Sequence, residues 1–425
     1  MKTVLLVVTL DTKGPEALFL REAVERQGLR ALLMDVGVFP SPHGEGDIPR
    51  ARVAAAGGRP LKALVAANRK GEAIGTMMRG AEKLARSLYD RGRIHGVLSI
   101  GGAQGTLIGT TAMRALPAGV PKVMLSTMAS GNRTFGGYVG TSDVTLIHSV
   151  VDFFGLSPVL KQALSNAAGA VAGMLRAGRV RPGRKPGVAI TIYGTTTPAG
   201  MRIVSLLRGR GYDVVAFHPN GAGGAAMERM IREGAFRGVV DLTLHELTDE
   251  IAGGDHAAAP GRLEAACDMG IPQVAVPGST DYIVTGRIEE LESAFRGRKT
   301  MRHNPEMTFV QPTAREMARV GETVARRLNR APGKASVLVP LGGFSQPNRE
   351  GGPLYNPSGV RAFVKGLREA IDPAIPVRLL PHHVNDPPFA DAVVEELERL
   401  MEGNRARRFE IKPSKGARHV RRKDR

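Results

Sequence analysis

The chain has 425 residues, 42% of them apolar, enough for two domains that each bury a core of their own. Its single cysteine, Cys267, excludes an intramolecular disulfide and a cysteine-cluster metal site, and fits a reducing, cytoplasmic setting. A formal charge of +19 attracts phosphates and acidic surfaces without specificity, while the lack of Trp and scarcity of Tyr and Phe disfavour a reader of single-stranded nucleic acid.

The amino terminus reads as a strand rather than a signal peptide. The apolar run Val4-Leu5-Leu6-Val7-Val8 is short, meets Asp11 and Lys13, and has no small-residue cleavage site after it. No later stretch has the length and apolarity of a membrane span. After this strand come a polar turn, Thr9 to Gly14, a helical segment from Glu16 to Gln27 closed by Gly28, and a second apolar run, Ala31 to Met34. The same plan recurs with Val188 to Ile192, a polar turn from Tyr193 to Thr197, a helix from Pro198 to Arg210, Gly211, and Val214 to Phe217. Further on, Gly96 to Ile100 matches Gly238 to Leu242, and Val120 to Ser126 matches Ile271 to Val276. Short apolar runs alternating with helical periods predict βαβ units, hence an α/β fold with two mainly parallel sheets and helices on both faces.

Between the halves, Leu160 to Leu175 reads as a small-residue helix, and the basic Gly/Pro stretch Arg176 to Lys185 marks the boundary. We therefore expect domains at 1–180 and 186–402, with strands Ser336 to Leu341 and Val377 to Leu380 completing the second sheet. The segment 405–425 carries ten Lys/Arg against Glu410 and Asp424 and is expected to be a disordered tail, capable at most of non-specific nucleic-acid binding.

Ligands of open parallel sheets bind beyond the carboxyl ends of the strands, and the polar surprises of this chain fall there. Gly101, Gly102, Ala103, Gln104, Gly105 and Thr106 stand between a strand and a helix, where glycines and free helix amides suit a phosphate. The turn is neither a Walker A motif nor a standard dinucleotide fingerprint. Asp11, Thr12 and Lys13 add a carboxylate for Mg²⁺ or a ribose, a hydroxyl and an ammonium. Ser126, Ser130, Gly131 and Asn132 end another strand, and Asp143 follows a Gly-rich stretch. In the second half, His218 precedes Gly221 to Gly224, and Glu228 follows in the next helix. His245-Glu246, Ser279, Asp281, Gly342 to Ser345, His383 and Asn385 sit after further strands, candidates for acid–base chemistry or a divalent metal. No HExxH or other zinc spacing is present.

Several of these segments together resemble the Tm-one-like ATP-binding family, a long-uncharacterised family that also forms the amino-terminal part of a plant tobamovirus-resistance protein. They are Leu10 to Gly14, Gly101 to Thr106, Leu116 to Lys122, Ser126 to Gly131, Asn166 to Ala170, Thr195 to Pro198, Gly221 to Gly224 and Val384 to Pro387. The resemblance runs to about residue 402 and implies two Rossmann-like domains, a homodimer, and ATP with Mg²⁺ in the amino-terminal domain. Two departures stand out: Ala103-Gln104 replaces smaller residues, and Asn68 to Glu72 lacks the family's acidic residue before Arg69. The leading functional expectation is an enzyme using ATP on a small anionic substrate such as a carbohydrate acid, held between the halves, with His218, Glu228, Asp281, His383 and Asn385 as catalytic groups. The alternatives are a non-catalytic nucleotide-binding regulator and a metal-dependent lyase or hydrolase built on the second-half histidines.

Overall fold

The computed structural model describes residues 1–130, 136–178, 185–330 and 333–410, with side chains to residue 403. The chain divides into two compact units, Met1–Pro182 and Gly183–Arg425. Gly131, Asn132 and the chain beyond residue 410, including most of the expected tail, lie outside the described residues.

The amino-terminal unit is built from β1 (Thr3–Val8), α1 (Leu10–Glu25), β2 (Arg30–Asp35), α2 (Arg50–Ala56), α3 (Leu61–Ala67), α4 (Lys70–Asp90), β3 (Gly96–Gly101), α5 (Ala103–Arg114), β4 (Lys122–Ser126), α6 (Gly136–Val139), β5 (Thr145–His148) and α7 (Pro158–Ala177). Among the described residues its five strands are all parallel, in the order β2-β1-β3-β4-β5. Every residue of β1 is buried, because both faces are covered. Val4, Leu6 and Val8 pack on one side with residues of α1 and α7, while Leu5 and Val7 pack on the other with residues of α2, α4 and α5. This period-two division explains why a continuous apolar run serves as a strand.

The carboxy-terminal unit repeats the winding with β6 (Gly187–Thr191), α8 (Thr197–Gly209), β7 (Asp213–Phe217), α9 (Ala222–Arg232), β8 (Gly238–Thr243), α10 (His245–Ala252), α11 (Ala265–Asp268) and β9 (Gln273–Gly278). A three-stranded antiparallel sheet follows, formed by β10 (Ile283–Thr285), β11 (Thr300–Asn304) and β12 (Met307–Val310). The unit closes with α12 (Ala314–Leu328), β13 (Ala335–Pro340), α13 (Pro357–Ala370), β14 (Val377–Leu380) and α14 (Pro387–Glu410). The six parallel strands run β7-β6-β8-β9-β13-β14, the order of the first sheet with one strand added. The repeat read from the sequence is therefore a repeat of topology: β1, β2, β3 and β4 correspond to β6, β7, β8 and β9.

Three boundaries differ from the sequence reading. α1 begins at Leu10, inside the expected turn, and is broken at Lys13 (φ −138°, ψ 35°), two residues before Pro15, which has no amide proton to donate. α9 begins at Ala222, so Gly223 and Gly224 lie in the helix rather than before it. α14 carries the chain helically through Arg405 to Glu410, where a tail was expected.

Candidate functional site

In a 2-1-3-4-5 sheet the chain leaves β1 toward one side and β3 toward the other, opening a crevice at their carboxyl ends. A cavity of about 530 Å³ occupies this position in the amino-terminal unit. Its floor is formed by Thr9, Asp11, Thr12 and Lys13 after β1 and by Gly102, Ala103, Gln104 and Gly105 after β3. Val38, Phe39, Leu64, Val65 and Ile74 supply an apolar wall, and Asn68, Arg69 and Lys70 complete the rim. The segment Asn68 to Lys70, where the sequence departs from the family pattern, thus borders the cavity.

The glycines of this turn have separate jobs. A Cβ on Gly101 would lie 2.8 Å from Gly105 Cα, and one on Gly105 would lie 3.0 Å from the Ile100 carbonyl oxygen, so both permit close packing of α5 on β3. A Cβ on Gly102 would meet only Thr127 Oγ1, at 3.6 Å, so this position faces open space. No side chain caps α5, and the amides of Ala103, Gln104 and Gly105 have no partner among the described residues. Three unpaired donors at the positive end of a helix dipole form a seat for an oxyanion. Lys13, Arg69 and Lys70 line the same cavity with no ion-pair partner among the described residues, against the single carboxylate of Asp11. Asp11 itself is engaged: its Oδ2 accepts from the amides of Val38 and Phe39 at 3.0 and 3.1 Å, which fixes the aromatic wall.

The remaining residues expected at this site have other partners. Thr106 is buried, with Oγ1 2.5 Å from Ser126 Oγ, so these hydroxyls tie α5 to β4 and do not line the cavity. Ser130 is exposed and also outside the lining. Asp143 accepts from the buried Lys122 ammonium at 2.6 Å and from the Gly119 amide at 2.7 Å. Burial raises the Asp143 pKa, but these donors outweigh it and hold the carboxyl below its ordinary value. Its visible task is to neutralise Lys122.

The glycine turn of the second unit, which follows β7, the counterpart of β2, is already filled. Glu246 Oε1 accepts from the amides of Gly221 and Gly224 at 2.6 and 3.2 Å, so the chain's own carboxylate caps α9. Glu246 also binds the fully buried Arg262, whose guanidinium reaches Asp241 through two bonds of 2.5 and 2.6 Å and Glu228 at 3.3 Å. Glu228, expected to face a substrate, instead accepts from Arg262 and from the amides of Leu263 and Ala265, and is 3% exposed. Burial pushes its pKa up despite Arg262. His383 and Asn385 are likewise committed to the framework. His383 Nε2 lies 2.9 Å from the Ser345 carbonyl oxygen, and Asn385 bridges the Ala199 amide and the Thr195 carbonyl. Burial lowers the His383 pKa.

Asp281 is buried and accepts from Ser345 Oγ at 2.9 Å, while its Oδ1 has no hydrogen-bond partner among the described residues. Desolvation pushes its pKa up to about 7. His218 is exposed and stacks on Tyr193, with ring centroids 4.7 Å apart. Tyr193 follows β6 and His245 follows β8, so this group sits at the second sheet's own switch point. Around Tyr193 gather His256, with Nδ1 2.9 Å from the Tyr193 hydroxyl, and His245, with centroids 5.3 Å apart. Asp249, one helical turn after His245, brings Oδ2 within 3.2 Å of His245 Nε2. Burial depresses His245, but Asp249 outweighs it and raises the pKa; His256 is lowered by burial and by the neighbouring His245. The sequence reading named His218 and His245 and missed Tyr193, Asp249 and His256. The spacing His245-x-x-x-Asp249 at the start of a helix was the available signal.

Comparison with known proteins gives a consistent match along the chain. Residues 2–179 match the uncharacterised protein family (UPF0261) N-terminal domain and residues 185–401 its C-terminal domain. A UPF0261 protein of Clostridium tetani is 38% identical over 403 residues, covering 94% of this chain and 99% of the relative. One from Rhizobium meliloti is 37% identical, covering 93% and 98%. The ToMV resistance protein Tm-1(GCR237) of Solanum lycopersicum is 33% identical over 354 residues, covering 81% of this chain and 46% of the tomato protein.

Proposed function

The chain belongs to the uncharacterised protein family UPF0261, and we propose that its amino-terminal unit binds ATP together with Mg²⁺ in the cavity at the ends of β1 and β3. The observation that carries this reading is the uncapped amino terminus of α5 opening into a cavity whose floor and rim hold Lys13, Arg69 and Lys70. A volume of about 530 Å³ lies within the range of roughly 300–1,000 Å³ usual for small-molecule sites. The phosphates would meet the amides of Ala103 to Gly105 and the three cations. The base would lie toward Phe39, which is 58% exposed and offers an aromatic face. Mg²⁺ neutralises phosphate charge when bound and is carried largely by phosphate oxygens and water, so one nearby carboxylate, Asp11, is compatible with it.

The reaction we favour transfers a phosphoryl-type group from ATP to a small anionic substrate such as a carbohydrate acid, a step that needs chiefly positioning and charge neutralisation. The cavity lining contains no His or Glu, an observation that favours the second reading, a nucleotide-binding regulator without turnover. Release of ADP in the presence of candidate acids separates the two.

Nucleotide binding itself is tested by calorimetric titration with ATP and Mg²⁺. Lys13→Ala should weaken binding about ten- to a hundredfold. Gly102→Val should do so at least about tenfold, since its backbone (φ −80°) accepts a side chain while the Cβ branch covers the helix amides. Wild-type affinity in both variants would remove the nucleotide from this cavity.

A further inference from the structure

The second switch point holds a set of groups that the nucleotide does not use. We propose that His245, Asp249 and His256 form a site for a divalent first-row transition cation of the zinc type, with three protein ligands and a coordination position left open.

His245 anchors the set. Its ring is fully buried, and Nδ1 lies 2.9 Å from the Ser279 carbonyl oxygen, an acceptor only, so Nδ1 carries the proton. In the neutral ring this leaves a lone pair on Nε2, which has no hydrogen-bond partner among the described residues. The atom facing it is Asp249 Oδ2, at 3.2 Å but not aligned for a hydrogen bond. Two lone pairs directed at one buried space repel each other unless a proton or a metal ion stands between them.

The geometry suits the metal ion. One ligand atom from each of His245, Asp249 and His256 lies within 4.8 Å of the others. For metal–ligand bonds of about 2.05 Å, tetrahedral neighbours stand about 3.3 Å apart, close to the Nε2–Oδ2 separation. Two imidazoles and one carboxylate are a donor set for zinc and its first-row neighbours rather than for Mg²⁺ or Ca²⁺. The supporting contacts are those of a held ligand set. Ser279 orients His245 from a left-handed backbone (φ 58°), the Val284 amide donates to Asp249 Oδ1 at 3.1 Å, and the His256 amide donates to Oδ2 at 2.9 Å. His256 is half-buried and bonds the Tyr193 hydroxyl, and the exposed His218 stacks on the same Tyr193, so the set borders solvent on the His256 side. Three ligands leave room for water or a substrate oxygen, as in catalytic rather than structural zinc sites.

The test uses the full-length, untagged, chelator-treated protein without nucleotide, titrated with Zn²⁺ by calorimetry and with Co²⁺ by visible absorption. The wild type should take up one equivalent of either ion. His256→Ala, in a half-exposed loop, should lower affinity at least about tenfold and change the Co²⁺ spectrum, and Asp249→Asn should do the same. If burial of Asp249 prevents that variant from folding, His256→Ala decides alone. Absence of stoichiometric uptake by the wild type would mean that a proton, as a buried imidazolium–carboxylate pair, occupies the space, and would overturn the proposal. Equal uptake by wild type and His256→Ala would place the ion elsewhere and overturn it as well.

Discussion

Individual charged groups in this chain divide by whether a partner inside the protein has claimed them. Asp143 is claimed by Lys122 and Glu228 by Arg262, whereas Lys13, Arg69 and Lys70 face a cavity without such partners among the described residues. Asp281 is an intermediate case, held on one oxygen by Ser345 and orphaned on the other. Burial raises its pKa from 3.8 to about 7, so the folded chain binds a proton in that interval that the unfolded chain has released. Its contribution to stability is therefore present at low pH and declines as pH rises through that window. Asp281→Asn, which preserves shape and supplies a donor to the orphaned site, should abolish this slope. Relative to wild type it should gain about 2 to 3 kcal/mol between pH 5 and pH 8, read by chemical denaturation. Equal pH slopes in the two proteins would refute the assignment.

At the scale of elements, the two glycine turns look alike in the sequence and differ in the structure. Gly101 to Gly105 opens a bare helix terminus, while Gly221 to Gly224 is capped by Glu246, twenty-two or more residues away. Local composition carries no trace of a distant carboxylate, which is why Glu228 and the second turn read as ligand-binding. Glu246→Ala would remove both the cap of α9 and one of the carboxylates on Arg262, at an expected cost of about 3 kcal/mol or more, measured by thermal denaturation. A shift within error would show that Arg262 is adequately neutralised by Asp241 and Glu228. The strands and helices of the parallel sheets were legible because buried apolar runs and 3.6-residue periods are local signals. The antiparallel β10–β12 sheet was not: its strands are three to five residues long, and β11 is Thr-Met-Arg-His-Asn, partly exposed. The start of α1 was hidden by Gly14 and Pro15, which read as a turn yet sit within a kinked helix.

The whole molecule is one winding used twice. Both sheets share the order in which the second strand flanks the first and the third lies on its other side, and each unit gathers polar groups at the resulting crevice. In the first unit these are free amides and cations, suited to an anion; in the second they are two imidazoles and a carboxylate, suited to a cation. Duplication of the scaffold with divergence of the crevice was visible in the paired motifs, but the chemistry of the second crevice depends on Asp249 and His256, which only the fold brings to His245. The most direct measurement is a crystal structure of the full chain grown with ATP and Mg²⁺. Phosphate oxygens should lie within hydrogen-bond reach, about 3 Å, of the amides at Ala103 to Gly105, with Lys13 beside them and the base against Phe39. Nucleotide seated anywhere else, or a crevice still free of it at saturating ATP, would contradict this placement.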